Sequence, residues 1–306
     1  MTIAYISHPA CRLHDVGSEH PEIPARLDVI EDKLLETGLE FAIRRYDAPA
    51  VTRQQLLRVH DPSHVDRIHA QAPPAGLRWL GTDTVMNPHS LDAALHAAGA
   101  VVHAVDLVQG GQEGRAFCAV RPPGHHATRA EAQGFCLFNN LAVGVAHALA
   151  QYGLHRVAIV DFDVHHGNGT EDIFRDEERV LYCSSFQHPL YPNCDTGIPG
   201  RQHVKTALAA GTGGREFRSR IRSEWLQRMD AFRPELIFIS AGFDGHWRDE
   251  MADLNLTEQD YAWITRELGM LAGRHAAGRI ISVLEGGYSL PALAGCVAAH
   301  LGALLD

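Results

Sequence analysis

The sequence predicts an α/β fold, in which a mainly parallel sheet lies between helices and the functional site lies at the carboxyl ends of the strands. Three observations predict this fold. Short β-rich runs alternate with longer helical patterns along the 306 residues, and polar, glycine-containing stretches follow four of those runs. The chain shows no internal repeat, low-complexity tract or long linker. Alternation of this kind is typical of a parallel sheet covered on both faces, and it favours one domain over residues 1–306.

Each element is predicted from its own pattern. Helical periodicity predicts five helices, at 25–38 with Gly38 as a C-cap, 90–108, 139–153, 214–231 and 257–276. Five β-rich runs predict strands: AFCAV, RVAIV, RVLYCSS, ELIFIS and RIISVL. RPPGHH, DFDVHHGNG, AGFDGH and EGGY follow the first, second, fourth and fifth of these runs. Because ligands bind beyond the carboxyl ends of strands in open α/β folds, we expect these four loops to meet at one edge of the sheet.

Composition narrows the class of protein. The 27 Lys and Arg against 37 Asp and Glu give a formal charge of -10, which disfavours nucleic acid and mildly favours cationic ligands. We expect no membrane span, because no apolar run approaches the ~20 residues that one needs. The start of the chain lacks a signal-peptide pattern, so we expect a cytoplasmic protein. The cysteines form no CxxC pair, so we expect six free thiols: Cys11, Cys118, Cys136, Cys183, Cys194 and Cys296.

The chain contains 20 histidines, and most of them have an ordinary explanation. Five fall in stretches predicted to be helical and are interpreted as surface or packing residues: His60, His64, His69, His96 and His103. Only histidines that lie among other chemically active residues count as candidates for a site.

The stretch DFDVHHGNG follows a buried strand, where charged carboxylates are costly without a cation or dense hydrogen bonding. Strand alternation would turn Asp161, Asp163 and His165 to one side. Together with Asp244 of the AGFDGH loop, Asp163 and His165 would form a three-ligand metal site that leaves a position open for water. The alternative is that Asp163 pairs with an arginine and Asp244 caps a turn.

A second pair of histidines follows the stiff turn Arg121-Pro122-Pro123-Gly124. One of His125 and His126 could act as a general base, because imidazole changes charge near neutral pH. Asp161 and Asn168 would orient the two rings. The alternative is a loop pair that hydrogen-bonds only to backbone.

Aromatic residues complete the candidate site. Tyr288 follows Gly286 and Gly287 at the end of the last predicted strand, and its phenol could donate to a developing oxyanion. Phe135 and Tyr191 would line a narrow entrance. Taken singly, each of these three aromatic residues could instead belong to the core.

Five motifs, in this order, carry a resemblance: RPPGHHA, GFCLFNN, DFDVHHGNGT, SAGFDGH and LEGGY. They look like the histone deacetylase family, in particular its class II branch and bacterial relatives. The likeness begins near HPEIPARL at residue 20 and ends at residue 288, and it covers nearly all of the chain. It implies the family's arginase-like α/β fold, which agrees with the prediction made from the strand ends.

The resemblance also implies roles at the centre of the site. It implies zinc held by Asp163, His165 and Asp244, with iron(II) as another metal for the same ligands. His125 and His126 become the paired histidines, with His126 as general base and acid. Asp161 would orient His125, Asn168 would orient His126, and Tyr288 would hydrogen-bond the substrate carbonyl.

Around that centre the resemblance implies a tunnel for an acyl-lysine. Phe135 and Tyr191 match its aromatic walls, and Gly134 matches the glycine of the tunnel. Asp83 falls where the family's aspartate for the substrate backbone lies, and Arg26 falls at an acetate-exit cavity. The resemblance also implies two structural potassium ions, the first at Asp161, Asp163, His165, Ser184 and Ser185 and the second at Phe174, Glu177 and Val180. The sequence departs from the family at Ser185-Phe186, where Leu-His is common.

The leading hypothesis is a zinc-dependent hydrolase that removes an acyl group from an amine, most simply acetyl from the ε-nitrogen of lysine. An acetylpolyamine hydrolase is an alternative, but Met251 stands where one polyamine-preferring branch carries a glutamate. A two-manganese ureohydrolase would need an aspartate at Gly167. A noncatalytic acyl-group binder is disfavoured because both histidines and Tyr288 are retained. The expected partner is an acylated lysine of a protein or peptide, or a small N-acyl amine.

Overall fold

The central feature of the computed structural model, which describes residues 2–193 and 202–306, is an eight-stranded sheet. Its strands, in chain order, are β1 Ile3–Ser7, β2 Ile43–Asp47, β5 Arg115–Cys118, β6 Val157–Asp161, β7 Val180–Gln187, β8 His203–Leu208, β9 Leu236–Ala241 and β10 Ile280–Leu284. They lie side by side in the order β2-β1-β5-β10-β9-β6-β7-β8, and all the pairs are parallel. A separate antiparallel hairpin pairs β3 Arg78–Trp79 with β4 Val85–Met86.

Helices connect and cover these strands. They are α1 Ala10–Leu13, α2 Ala25–Thr37, α3 Arg53–Leu56, α4 Pro62–Gln71, α5 Ser90–Gln109, α6 Asn140–Gln151, α7 Asn168–Phe174, α8 Gly214–Ile221, α9 Gln227–Phe232, α10 Glu258–His275 and α11 Leu290–Leu305. A short 3₁₀ helix, Leu39–Ala42, follows α2, and a π-helical turn, Arg222–Leu226, joins α8 to α9.

Four of the five predicted helices and all five predicted strands are confirmed within two residues at each end. Gly38 adopts the left-handed conformation, with φ of 71°, and its N–H binds the carbonyl of Leu35, as a C-cap should. Asn139 caps α6 by accepting from the N–H of Ala142. The prediction for 214–231 is a continuous helix, whereas the structure inserts the π-helical turn there.

The prediction of five strands misses three of the eight, namely β1, β2 and β8. β2, with the sequence IRRYD, lies at one edge of the sheet and exposes both arginines, so it lacks the apolar run of a buried strand. β8, at the other edge, mixes buried and half-buried residues without strict alternation. The helix α11 was also missed, because LPALAGCVAAHLGALL is apolar on nearly every side and shows little periodicity.

One helix bears on the expectation of no membrane span. The helix α5 is long and apolar enough to cross a membrane by length and composition, which the sequence analysis did not predict. However, 67% of its apolar window is buried inside the protein. It packs closely on α6, where a Cβ at Gly144 would lie 2.3 Å from Val101 Cγ1. A buried core helix passes the same test, so α5 gives little support for a membrane span.

The structure also shows where two histidines outside the candidate site and the cysteines lie. His64 is buried on α4, while His60 lies between α3 and α4 rather than in a helix, because α3 ends at Leu56. His60 is held by the carbonyl of Thr128 at 2.9 Å, so the packing interpretation fits it. Five cysteines are buried free thiols, and Cys194 lies outside the described residues.

The order of the strands explains where a site can form. β5, β10, β9 and β6 are neighbours in the middle of the sheet, and these are the strands that precede the four polar loops. Because all four run in parallel, their carboxyl ends lie along the same edge. The expectation that the four loops meet is therefore confirmed.

Candidate active site and metal centre

Three buried side chains converge at the end of β6 and β9. The ligand atoms of Asp163, His165 and Asp244 all lie within 4.8 Å of one another. His165 Nδ1 is 3.2 Å from an oxygen of Asp163 and 3.1 Å from an oxygen of Asp244. Among the residues that the structure describes, this is the one group of three or more such ligands.

Backbone groups fix the two carboxylates in place. The N–H of His165 donates to Asp163 Oδ1 at 2.9 Å, and the N–H of Val164 donates to Asp244 Oδ1 at the same distance. From the β10 loop, the N–H of Gly286 donates to Asp163 Oδ2 at 2.8 Å. A Cβ at Gly286 would lie 2.2 Å from Asp244 Oδ2, so only glycine leaves room for both carboxylates here.

The electrostatics of this group suit a cation. Two carboxyl groups share one buried site, so burial together with Asp163 raises the pKa of Asp244 to about 6. A divalent ion between the carboxylates would offset both the burial and their mutual repulsion. Two oxygens and one nitrogen are a ligand set that zinc uses in catalytic sites. The residues therefore fit a metal ion.

The paired histidines lie beside this group and differ in their partners. His125 Nδ1 lies 3.1 Å from Asp161 Oδ2, and its Nε2 lies 3.9 Å from Asp163. His126 Nδ1 lies 2.8 Å from Asn168 Oδ1. An amide oxygen accepts only, so Nδ1 of His126 donates, and Nε2 of the neutral ring is left as an acceptor. The predicted pairs with Asp161 and Asn168 are both present.

The surroundings of the two histidines shift their pKa values in opposite directions. Burial disfavours the charged form of His125, but Asp163 and Asp161 outweigh it and raise the pKa of His125 to about 10. Burial lowers the pKa of His126 well below its usual value, and the neighbouring His125 lowers it further. His125 is therefore suited to remain charged, while His126 is suited to remain neutral and accept a proton.

Tyr288 lies on the β10 loop and is held from two sides. Asp249 Oδ2 accepts from the N–H of Tyr288 at 2.6 Å and from the N–H of Ser289 at 2.9 Å. The guanidinium of Arg26 lies 5.0 Å from the centre of the Tyr288 ring. Arg26 is itself buried, and it donates to the carbonyl of Gly287 at 2.7 Å and to Glu22 at 2.9 Å. These contacts fix the backbone and the ring of Tyr288 together.

Phe135 and Tyr191, the two aromatic residues predicted to line an entrance, each pack against a ring of the candidate site. The ring of Tyr191 meets that of His126 edge to face at 5.0 Å, and the ring of Phe135 meets that of Tyr288 at 6.0 Å. A Cβ at Gly134 would lie 2.3 Å from the ring of His126, which explains the glycine at that position. The structure thus brings the predicted tunnel residues to the mouth of the site.

The remaining predicted substrate residues lie around this mouth. Asp83 Oδ1 accepts from the N–H of Gly134 at 3.1 Å, which ties the loop after β3 to the tunnel wall. Met251 lines a cavity of about 340 Å³ next to Tyr288, and Glu250 lies on the same wall. The substrate-binding roles of Asp83 and Met251 stay predictions.

The residues predicted to hold potassium are also placed. Asp161 and Ser184 are partners in the pairing of β6 with β7, and Ser184 Oγ lies 2.9 Å from His166 Nδ1. At the second predicted position, the carbonyl of Phe174 accepts from Glu177 N–H, and the carbonyl of Glu177 accepts from Val180 N–H. These contacts neither require nor test an ion at either place.

Three residues of the site were missed by sequence analysis. Glu285 accepts from the N–H of Gly124 at 2.7 Å and of His125 at 3.2 Å, so it holds the histidine turn in place. The hydroxyl of Tyr182 donates to Asp161 Oδ2 at 3.1 Å. Asp249 is the third. Glu285 lies inside the motif LEGGY and could have been singled out, whereas only the fold brings Tyr182 and Asp249 to the site.

Comparison with known proteins identifies the class that this fold and site define. The family model described as "Histone deacetylase domain" matches residues 20–304. The crystal structure of the HDA15 HD domain superposes with a TM-score of 0.92 at 32% identity, covering 100% of this chain and 90% of that one. The chain belongs to the histone deacetylase family, and its fold is the arginase-like α/β fold.

Three curated relatives match over most of this chain. Type-2 histone deacetylase 2 of Dictyostelium discoideum is 35% identical over 100% of this chain and 21% of its own length. The histone deacetylase-like amidohydrolase of Pseudomonas aeruginosa is 35% identical over 93% of this chain and 75% of its own. The human polyamine deacetylase HDAC10 is 35% identical over 93% of this chain, which spans 44% of that protein. The names of these relatives therefore include both a histone deacetylase and a polyamine deacetylase.

Proposed function

We propose that this protein is a zinc-dependent deacylase that hydrolyses an N-acyl amide, with N6-acetyl-lysine as the preferred class of substrate. One observation carries the proposal: two buried histidines, one held by the Asp161 carboxylate and the other by the Asn168 amide oxygen, lie beside a buried Asp-His-Asp group. A purely structural cluster has no need of two oriented imidazoles beside three potential metal ligands. Membership of a family of deacetylases and amidohydrolases supports the same reaction.

Asp163, His165 and Asp244 would hold the metal. When bound, zinc or iron(II) would act as a Lewis acid at the substrate carbonyl and lower the pKa of the attacking water. The structure supports one metal rather than two. A ureohydrolase would need a ligand at Gly167, but a Cβ there would lie 2.3 Å from Asp161 Oδ2 and 2.5 Å from the Tyr182 hydroxyl. A carboxylate side chain does not fit at that position.

The side chains of this chain would divide the remaining work. His126, neutral and held by Asn168, would take the proton from the water and later give it to the leaving amine. His125, held charged by Asp161, would stabilise negative charge beside it. The hydroxyl of Tyr288 would donate to the carbonyl oxygen as charge develops on it. Phe135 and Tyr191 would exclude water and guide the acyl-lysine stem, with Gly134 giving it room.

The three outer residues would serve the substrate and product. Asp83 would accept hydrogen bonds from the backbone of an acylated peptide. Met251 would contact the apolar stem. Arg26 would meet the departing carboxylate, although its many present contacts also suit a role in holding Tyr288. One domain over 1–306, the two potassium ions and a cytoplasmic location stay predictions.

The experiment that tests this proposal measures metal and activity on the same preparation. Purified protein should contain one transition-metal ion per chain, and chelation should remove both the ion and the deacetylation of an acetyl-lysine peptide. Returning zinc should restore both. Two ions per chain would contradict the single-metal proposal. A full complement of metal with no hydrolysis of any N-acyl amine would leave a noncatalytic binder as the better account.

The second candidate is an acetylpolyamine hydrolase, favoured by the likeness to a polyamine deacetylase. Met251, on the cavity next to Tyr288, offers no charge to a distant ammonium, so we predict a higher kcat/KM for acetyl-lysine peptides than for acetylputrescine or acetylspermidine. The measurement is a direct comparison on one enzyme preparation. If acetylpolyamines are preferred by about tenfold, which is about 1.4 kcal/mol, the argument from Met251 fails. Glu250→Gln would then test whether its neighbour supplies the charge.

A further inference from the structure

A groove of about 480 Å³ lies beside the candidate active site, and most of its lining residues, including Trp79 and Glu131, have no role in the chemistry described above. Its floor and walls come from α4, from the hairpin of β3 and β4 and from the loop at 131–133. The hairpin places Trp79 on one wall, where 61% of the side chain is exposed. An exposed tryptophan on a paired strand is a large, rigid contact surface that the fold itself does not use.

The groove continues directly into the active site. Tyr191 lines the groove and also packs its ring against His126 at 5.0 Å. Asp83 lines the groove as well, and it binds the N–H of Gly134 in the tunnel wall. A substrate whose acyl-lysine lies in the tunnel would therefore extend its neighbouring residues along this groove.

The charges in the groove favour a cation. Asp83 and Glu131 both contribute carboxylates to it, and neither forms an ion pair within residues 2–193 and 202–306. Arg67 also lines the groove, held by the carbonyl of Ala130 and by His64, so the groove carries two carboxylates against one guanidinium. Burial and the Asp83 carboxylate also raise the pKa of the Tyr191 hydroxyl, which therefore remains uncharged.

We propose that this groove binds a basic residue of the substrate next to the acyl-lysine, with the cation over Trp79 and near Glu131. Guanidinium groups stack on the face of tryptophan, and a nearby carboxylate adds to that attraction. The inference deepens the proposed function, because it assigns the sequence context of the acyl-lysine. It commits to a peptide as the source of the cation rather than to a polyamine.

The test compares acetyl-lysine peptides that carry Arg or Ala at each of the two positions on either side of the acetyl-lysine. For the wild-type protein we expect kcat/KM to be about fivefold higher with Arg at one of these positions, mainly through KM. Trp79→Ala and Glu131→Gln should each bring that ratio towards one. Trp79→Phe should keep most of it, and this variant guards against a loss caused by misfolding of the hairpin.

Matched controls lie outside the groove. Trp247 is 53% exposed, and Glu216 is an exposed carboxylate on α8 that does not line the groove. Trp247→Ala and Glu216→Gln should leave the Arg-to-Ala ratio as it is in the wild type. A ratio near one in the wild type, or an equal loss in Trp247→Ala, would overturn the proposal.

Two further measurements separate this proposal from the proposed function. The Kd of a labelled acetyl-lysine peptide, with Arg or with Ala, is measured by fluorescence anisotropy and so reports on the groove even without turnover. Equal Kd values for the Arg and Ala peptides would overturn the groove proposal. Hydrolysis of acetyl-lysine amide by the same preparation would still support a deacylase. If Trp79→Ala raises the Kd of acetylspermidine but leaves the Kd of the Arg peptide unchanged, the groove binds the cation of a polyamine, and the peptide proposal is wrong.

Discussion

At the scale of single residues, the two neighbouring histidines show how the groups around an imidazole decide its protonation state. His125 faces the carboxylate of Asp161, and His126 faces the amide oxygen of Asn168. Both imidazoles are buried, so the burial that they share cannot account for their opposite shifts. The nearby negative charges raise the pKa of His125, while nothing comparable offsets the burial of His126. The carboxylates of Asp163 and Asp161 thus favour a charged His125, while burial and the neighbouring His125 favour a neutral His126.

Tyr288 should matter only as charge develops on the substrate oxygen. We predict that Tyr288→Phe lowers kcat by about 10²-fold or more, the size expected for the loss of one oxyanion donor. The phenyl ring keeps its packing against Phe135 and under Arg26, so KM and metal content should change little. Steady-state kinetics and metal analysis of the same variant check both halves. An unchanged kcat would remove Tyr288 from the mechanism.

Asp249 is a positioning residue for Tyr288, because it accepts from the N–H groups of Tyr288, Ser289 and Met251. Asp249→Asn leaves an amide oxygen but no charge, and its NH₂ group cannot accept. We predict a fall in kcat of about tenfold, roughly 1.4 kcal/mol, with metal content retained.

A double-mutant cycle separates this role from a merely structural one. If Asp249 acts through the Tyr288 hydroxyl, Asp249→Asn should cost little further activity in the Tyr288→Phe background. A purely structural role would lower Tm in both backgrounds and reduce kcat by the same factor in each. The additive result would contradict the positioning role.

At the scale of elements, the site depends on where four strands end. Loops after β5, β6, β9 and β10 supply the histidine pair, the first two ligands, Asp244 and Tyr288. Each strand is short and buried, and β6, β9 and β10 are rich in Val and Ile, so both the strands and their polar ends could be predicted from the sequence. The parallel pairing then brings the loops together without any further information.

Other parts of the fold could not be predicted, for physical reasons. Strand β2 is half exposed and carries two arginines, and α11 is apolar almost throughout, so neither gives a clear period. Asp249 and Tyr182 reach the site only through tertiary packing. The groove at Trp79 was missed because a two-residue strand carries almost no sequence pattern.

The β10 loop gives a prediction about close packing. A Cβ at Gly286 would lie 2.2 Å from Asp244 Oδ2 and 2.6 Å from Asp163 Oδ2. We therefore predict that Gly286→Ala displaces one or both carboxylates and lowers the zinc affinity by about tenfold or more. A competition titration with a zinc chelator measures this affinity directly, without reference to activity.

Gly302→Ala is the matched control for this substitution. A Cβ at Gly302, inside α11, would meet nothing within 4 Å, and alanine is the better helix former there by about 0.5–1 kcal/mol. This variant should keep the zinc affinity and unfold at a slightly higher temperature. Equal zinc affinity in both variants would show that the loop can shift to make room.

At the scale of the whole molecule, several buried neutral histidines couple folding to pH. Burial lowers the pKa of His60 and of His300 to about 3 and that of His14 to about 4. An unfolded chain would protonate these rings near pH 6.5. Below that pH these three rings bind more protons in the unfolded state than in the folded state, so their contribution to the free energy of unfolding falls as the pH falls.

His300 reports on one part of this dependence, because it lies in the core between Thr265 and Ser282, and its ring packs against Phe162 and Phe243. Its stabilising contribution is complete above pH 6.5 and is lost progressively between pH 6.5 and about 3. His300→Asn should lower the free energy of unfolding at pH 8 through lost packing. Between pH 6 and pH 4, the same variant should reduce the dependence of that free energy on pH by about 1.4 kcal/mol per pH unit. Urea unfolding at several pH values measures that slope.

Ser282→Ala is the control, because it breaks the 2.8 Å hydrogen bond between Ser282 and His300 but keeps the titrating ring. It should lower the free energy of unfolding by a similar amount at every pH. If both variants keep the wild-type slope, His300 takes up no proton on unfolding in this range, and the acid sensitivity must come from other buried groups.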